Sequence, residues 1–185
     1  MSRNLKLFII LLGVFIFGTL IGWIVGLLDP NLAEHAYMVL RKLLGGNKLP
    51  EGFELFILIF LNNVRVATII AFGGIILGIV PFLVLLFNGI VVGIVISYTA
   101  SRGVPGSKIL LSIIPHGIVE IPAFIIAGIG GINWFLEVVK GEGELENRFK
   151  RGFKIMLRFL ILAISLLFIA ALIEAFITPK LAGIS

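Results

Sequence analysis

The sequence predicts an all-α protein, a polytopic transmembrane helical bundle, and three observations lead to that prediction. Of the 185 residues, 59% are hydrophobic, and the mean hydropathy is +1.19, which a soluble domain does not reach because its surface needs more polar residues. Apolar runs of about twenty residues, long enough to cross the hydrocarbon core of a bilayer, recur along the chain. Small residues spaced four apart, typical of helix contacts in membranes, occupy several of these runs.

About five spans are predicted, and they form a single integral membrane domain over residues 1–185. Charged residues and Gly/Pro punctuation set their boundaries. The spans cover residues 7–28, 53–80, 81–99, 107–138 and 153–177. The first is longer than a signal-peptide core and lacks a cleavage site, so we expect it to remain as an anchor. Only residues 78–81 separate the second span from the third, which predicts a tight hairpin.

Two further elements are predicted between and within the spans. Residues 31–48 carry apolar side chains at helical spacing with charges opposite, which predicts a short amphipathic helix at the membrane interface, ended by Gly45 and Gly46. Pro115 and Pro122 each remove a backbone donor from the fourth span. We therefore expect two half-segments that meet near Pro115, with a plain proline kink as the alternative.

Glycine spacing predicts close helix packing, because residues without side chains let helix backbones approach. Four of the five spans carry such patterns, which favours a tight bundle and self-association through glycine faces, with a dimer favoured. The glycines concerned are Gly18, Gly22, Gly26, Gly74, Gly78, Gly89 and Gly93.

A few polar residues lie within the spans, where a charged side chain costs about 2.5–3.5 kcal/mol on insertion scales. The intramembrane polar cluster predicted from them comprises Asn62, Asn63, Arg65, Asn88, His116 and Glu120. Arg65 and Glu120 lie at matching depths of their spans, so we predict that they pair across the bundle. The pair could be static and fix helix register, or it could open and close with a substrate or proton.

His116 and Glu120 stand four residues apart and share one face of a helix. The histidine could hydrogen-bond within the core, handle protons or a ligand, or join Glu120 in holding a metal. A third protein ligand of the usual kind is missing, so we predict no metal site. Cysteine is absent, and no nucleophile lies beside a base, so we expect neither catalytic residues nor a cofactor and predict that the protein is not an enzyme.

Charge and its distribution bear on partners and orientation. The net charge of +5 comes from basic residues scattered over loops, without a nucleic-acid-binding motif. We expect the lipid bilayer to be the partner of these charges, with no nucleic acid. Seven basic residues flank the spans on the side of the N-terminus and six on the other side. The dense run at 140–154 favours a cytoplasmic N-terminus, in the cell membrane.

Several short motifs, in a fixed order, resemble those of a known family. They are LNNVRVA (61–67), GIILG (74–78), NG (88–89), PHGIVEIPA (115–123) and IEAFITP (173–179). Together they resemble the stage II sporulation protein M family of multi-pass membrane proteins, over roughly residues 55–180. The resemblance implies a non-enzymatic scaffold: the sporulation member belongs to a membrane complex, with a lytic enzyme and an amidase, that degrades septal peptidoglycan. Most relatives have no assigned activity, and no established catalytic residues carry over.

Two functions follow as hypotheses. The first is a membrane scaffold or partner-binding subunit in envelope or membrane organisation, with possible protein partners in a membrane complex. It predicts that Arg65, His116 and Glu120 affect folding alone. The alternative is a transporter or channel for a small solute or ion, which would use the intramembrane polar cluster as its site.

Overall fold

The computed structural model describes residues 1–43 and 50–182, and these residues form helices without a strand. Five of the helices are long and apolar enough to cross a membrane. The predicted fold class, an all-α multi-pass bundle, is therefore confirmed. In chain order the elements are α1 (Arg3–Leu28), α2 (Pro30–Leu43), α3 (Gly52–Gly73), α4 (Ile79–Ser101), α5 (Gly106–Lys140), α6 (Leu145–Leu172), a π-helical segment (Ile173–Ile177) and α7 (Thr178–Ala182).

Helix α2 follows the first span, as the apolar spacing predicted. It packs against the end of α4, where Tyr37 stacks on Tyr98 with ring centroids 4.4 Å apart. Residues 44–49, which include the predicted end of this helix at Gly45 and Gly46, lie outside the described residues. Its position at a membrane interface stays a prediction.

The turn between α3 and α4 lies earlier than the predicted hairpin at residues 78–81. Helix α3 ends at Gly73, and Leu77 and Gly78 turn the chain with positive φ angles of 51° and 69°. Gly78 therefore serves the turn, because a positive φ is easily adopted by glycine alone. Pro81 lies in the first turn of α4, where a missing N–H costs no intrahelical hydrogen bond.

Helix α5 is continuous from Gly106 to Lys140 and contains both Pro115 and Pro122. The predicted break into two half-segments near Pro115 is therefore wrong. Each proline removes one donor from the ladder, but the neighbouring hydrogen bonds hold the helix, and membrane helices tolerate proline where packing supports them. At 1.5 Å per residue, its 35 residues extend about 52 Å, well beyond the hydrocarbon core of a bilayer.

Helices α1 and α4 pack along each other through glycine, backbone against backbone. A side chain added at Gly22 would overlap the carbonyl oxygen of Ile90, and one added at Gly93 would overlap that of Thr19. Gly18 of α1 and Gly89 of α4 lie at the same contact, and Gly26 of α1 lies against α4 and near α2. The chain's own helices thus fill these glycine faces, and self-association stays a prediction.

Helix α5 lies at the centre of the bundle, in contact with α1, α3, α4 and α6. Gly74, at the end of α3, lies against Gly131 of α5, and a side chain added at either glycine would overlap the other's backbone. On the other flank of α5, Trp134 lies over Gly152 of α6. These close contacts fix the depth of α3 and α6 relative to α5.

The five spans alternate in direction, so their ends collect on two faces of the bundle. One face carries the start of α1, the α3–α4 turn and the α5–α6 loop, and we call it the N-terminal face. The other face carries α2 and α7, and we call it the opposite face. Asn133 donates a hydrogen bond to Asn4 at 3.1 Å on the N-terminal face. Arg102 pairs with Glu34 on the opposite face. Which face is cytoplasmic stays a prediction.

Candidate functional site

The polar residues of α3 divide between the two sides of the helix. Asn63 faces the bundle and is 6% exposed, whereas Asn62 and Arg65 are exposed on the outside. Each residue rotates the side chain by about 100°, so residues one or two positions from Asn63 leave its face. Ala67, four residues on, is fully buried with it. The predicted cluster is therefore split into an inner and an outer part.

The inner part is centred on Glu120 of α5. Asn63 of α3 neighbours its carboxyl, and Glu174 lies within the range of electrostatic repulsion. Glu120 also lines a crevice of about 70 Å³ between α1, α4 and α5, together with Asn88 and the ring of Phe15. Apart from Asn88 and Glu120, the side chains around this crevice are apolar. Glu120 thus has one amide, Asn63, on the side of α3 and another, Asn88, across the crevice.

The asparagines are oriented by further hydrogen bonds. Asn88 donates from Nδ2 to the carbonyl oxygen of Val84 at 2.8 Å, which leaves its Oδ1 as an acceptor. Asn62 donates from Nδ2 to Oδ1 of Asn63 at 3.4 Å, which leaves Nδ2 of Asn63 as a donor toward Glu120. The Asn62 contact also links the outer surface of α3 to the inner carboxyl.

The predicted pair between Arg65 and Glu120 does not form within one chain, so that prediction is wrong. Arg65 points away from α5 because it lies two residues, about 200° of rotation, from Asn63. In the part of the chain that the structure describes, the ion pairs are Arg102–Glu34, Lys150–Glu146 and Arg151–Glu137. The side chain of His116 lies outside the described residues, so its proposed roles stay predictions.

A π-helical segment carries Glu174, and the sequence analysis missed it. Over Ile173–Ile177 the helix widens, and the N–H of Thr178 bonds to the carbonyl of Ile173, five residues back. Pro179 has no N–H to continue the normal ladder, which is the sequence signal that could have indicated an irregularity here. Such π segments occur often at functional sites, and this one carries Glu174, whose charge acts on Glu120.

The chemistry open to this arrangement is that of hydrogen bonding and charge at membrane depth. Within residues 1–43 and 50–182, no three His, Cys, Asp or Glu side chains come together as a metal site. Glu120 has amide neighbours, but no basic side chain among the described residues pairs with Glu120 or Glu174. An intramembrane ionisable group of this kind is a candidate functional site, since it is costly to keep there.

The fold and the buried polar cluster define a multi-pass α-helical membrane protein with an ionisable centre. Comparison with known proteins is consistent with this class. The family model described as Stage II sporulation protein M matches residues 11–179, and the chain belongs to that family. The expectation from the short motifs is thereby confirmed.

Two proteins of Methanocaldococcus jannaschii, both named as uncharacterized, are among the relatives. The first is 34% identical over 141 residues, which are 74% of this chain and 78% of the relative. The second is 31% identical over 138 residues, which are 72% of this chain and 60% of the relative. No solved structure matches the chain. The family therefore indicates a membrane protein, without assigning an activity.

Proposed function

We propose that this protein is a non-enzymatic membrane scaffold or partner-binding subunit that acts in envelope or membrane organisation. The observation that carries the proposal is the outer surface of α3, where Asn62 and Arg65 are exposed within a membrane span. Polar side chains on the outside of a transmembrane helix act as contacts for other helices, because lipid offers them no hydrogen bonds. An exposed pair at this depth is expected to be covered by another transmembrane segment.

The depth of Arg65 makes it a costly residue to leave in lipid. It lies eight residues before the end of α3 at Gly73, so its Cα is about 12 Å inside the helix end. Side chains on a helix lean toward its N-terminus, which for α3 lies at Gly52 on the opposite face. Arg65 therefore leans toward the middle of the membrane and away from the nearer surface.

Arg158 of α6 provides the contrast. It is also exposed, but it follows Lys154 by one helical turn and lies near the N-terminal face. Because α6 begins on that face, Arg158 leans toward the nearby surface and can extend its charge into the headgroup region. Snorkelling thus accounts for Arg158, whereas Arg65 needs a partner within the membrane.

A photocrosslinking experiment tests the proposal. We expect a photoreactive residue at Leu61, on the outer surface of α3, to form protein adducts in the membranes of the producing cells. Ile161 of α6 is the matched control, because the two side chains are 60% and 64% exposed. It should form lipid adducts alone. Arg65→Gln should reduce the adducts at Leu61 several-fold, and equal lipid labelling at both positions would contradict a partner-binding role.

The alternative function, transport of a small solute or ion, has a smaller candidate site than the sequence suggested. Asn62 and Arg65 lie outside the bundle, so the residues left for a pathway are Asn63, Asn88 and Glu120 around the crevice. We expect proteoliposomes with the wild-type protein and with Glu120→Gln to conduct Na⁺, K⁺ and protons no faster than empty liposomes. A flux that is present in the wild type and abolished by Glu120→Gln would favour transport instead.

A further inference from the structure

Glu120 and Glu174 form the acidic centre of the bundle, and among the residues that the structure describes no basic side chain pairs with it. Glu120 and Glu174 lie near each other, and their described neighbours on α3 and α4, Asn63 and Asn88, are neutral. Both side chains are half-buried. Like charges repel, and a carboxylate in a low-dielectric interior is expensive unless it takes up a proton or a cation offsets it. His116 is on the same helix as Glu120, but its side chain lies outside the described residues. The centre thus has room for a cation supplied from elsewhere.

The depth of Arg65 matches the depth of this acidic centre. Helices α3 and α5 run in the same direction from the opposite face, and Gly74 of α3 lies against Gly131 of α5. Deeper in the membrane along the same two helices, Asn63 of α3 lies beside Glu120 of α5. Arg65 is two residues beyond Asn63, about 3 Å along the axis, and its side chain leans back toward that level. The guanidinium and the Glu120 carboxyl therefore lie at the same depth on different sides of α3.

We propose that a second copy of this chain supplies the missing charge. In the dimer, Arg65 of each copy pairs with Glu120 of the other, through the crevice that Asn88 and Glu120 line. A two-fold axis along the membrane normal keeps both copies at equal depth, so two identical ion pairs form. Asn62, beside Arg65 on the outer surface and bonded to Asn63, lies next to the same contact. The guanidinium is suited to this role because it binds a carboxylate through two parallel hydrogen bonds.

This inference rests on the proposed function, in that it names the partner of the same α3 surface. Charge complementarity selects a second copy, because among the described residues Arg65 is an exposed base deep in the membrane and Glu120 is an acid at the same level without an ion-pair partner. The mass of the crosslinked adducts distinguishes a second copy from other partners. A different protein would give adducts at Leu61 whose mass differs from that of two copies of this chain.

Mixing of charge-reversed copies tests the pairing directly. The chain has no cysteine, so Ser2→Cys gives a single site for donor and acceptor dyes, and dimerisation in liposomes is measured by energy transfer as the lipid is diluted. Arg65→Glu alone and Glu120→Arg alone should each weaken self-association about tenfold or more. An equimolar mixture of the two variants should associate like the wild type. In the mixed dimer, each side chain at position 65 faces a side chain of opposite charge at position 120 of the other copy. Arg158→Glu should behave as the wild type.

Several results would overturn the proposal. If the double variant Arg65→Glu/Glu120→Arg associates normally but the mixture of single variants does not, the pair forms within one chain. Unchanged association in the single variants would also overturn it. Should charge reversal prevent folding, Arg65→Gln and Glu120→Gln replace it, and their mixture, which keeps one of two pairs, should associate more tightly than either variant alone. Loss of the dimer with retained heterologous adducts at Leu61 would leave the proposed function intact.

Discussion

Gly22→Leu is expected to separate α1 from α4 and to destabilise the protein by about 3 kcal/mol or more, at the upper end of the usual range for overpacking. The reason is that the added side chain has no space: at this position it meets the backbone of Ile90, its carbonyl oxygen first. A helix backbone cannot move aside as a flexible side chain can. Thermal unfolding in detergent, followed by circular dichroism, measures the loss.

Gly13→Leu is the matched control for this prediction. Gly13 lies on the same helix, and nothing lies within 4 Å of a side chain added there. The substitution should change stability by less than about 0.5 kcal/mol, as is usual for surface positions. If both variants lose the same amount, the packing of α1 on α4 through glycine is not what stabilises this part of the bundle.

Trp134→Ala is expected to cost about 3–4 kcal/mol, within the range for removing a large aromatic side chain from a core. Trp134 is 5% exposed and packs edge to face against Phe72, Phe149 and Phe153, with ring centroids 5.1 to 6.1 Å away. Its loss would leave a cavity where α3, α5 and α6 meet at the N-terminal face. Unfolding in increasing denaturant, followed by circular dichroism, gives the change in free energy.

Trp23, the second tryptophan of the chain, is the control. It is 43% exposed, so Trp23→Ala should cost less than about 1 kcal/mol. Trp134→Phe should be milder than Trp134→Ala, because Nε1 of Trp134 has no hydrogen-bond partner among the described residues and the ring contacts are largely kept. Equal losses of stability for Trp23→Ala and Trp134→Ala would show that the aromatic cluster around Trp134 does not hold these helices together.

The five apolar spans could be predicted because the length of an apolar run is a direct physical signal. The faces of the spans could not, since α3 is apolar on nearly every side and hydrophobic periodicity then says nothing about orientation. The informative signal in α3 was the series Asn63, Ala67 and Ala71, spaced by four and buried together. Read from that series, Arg65 falls on the outer surface, and its pairing with Glu120 within one chain is excluded.

Local irregularities escaped prediction for a different reason. Proline predicts the loss of one donor, but whether a helix breaks depends on the neighbours that support it. Pro115 and Pro122 lie inside a continuous α5, whereas the widening of the helix occurs before Pro179, within Ile173–Ile177. The acidic centre was half predicted: the predicted polar cluster includes Glu120 and Asn63, but it does not include Glu174, which lies in the π-helical segment.

The pairing of α1 with α4 has a consequence for biosynthesis. Helix α1 makes contact with α2, α4 and α5 but none with α3 among the described residues, so these two consecutive spans have no surface in common. Helix α1 must therefore wait in the bilayer, with its glycine face toward lipid, until residues 79–101 have left the ribosome and entered the membrane. Helix α3 touches α4 at their common turn but gains most of its contacts later, from α5 and α6, so the bundle is completed by its last helices.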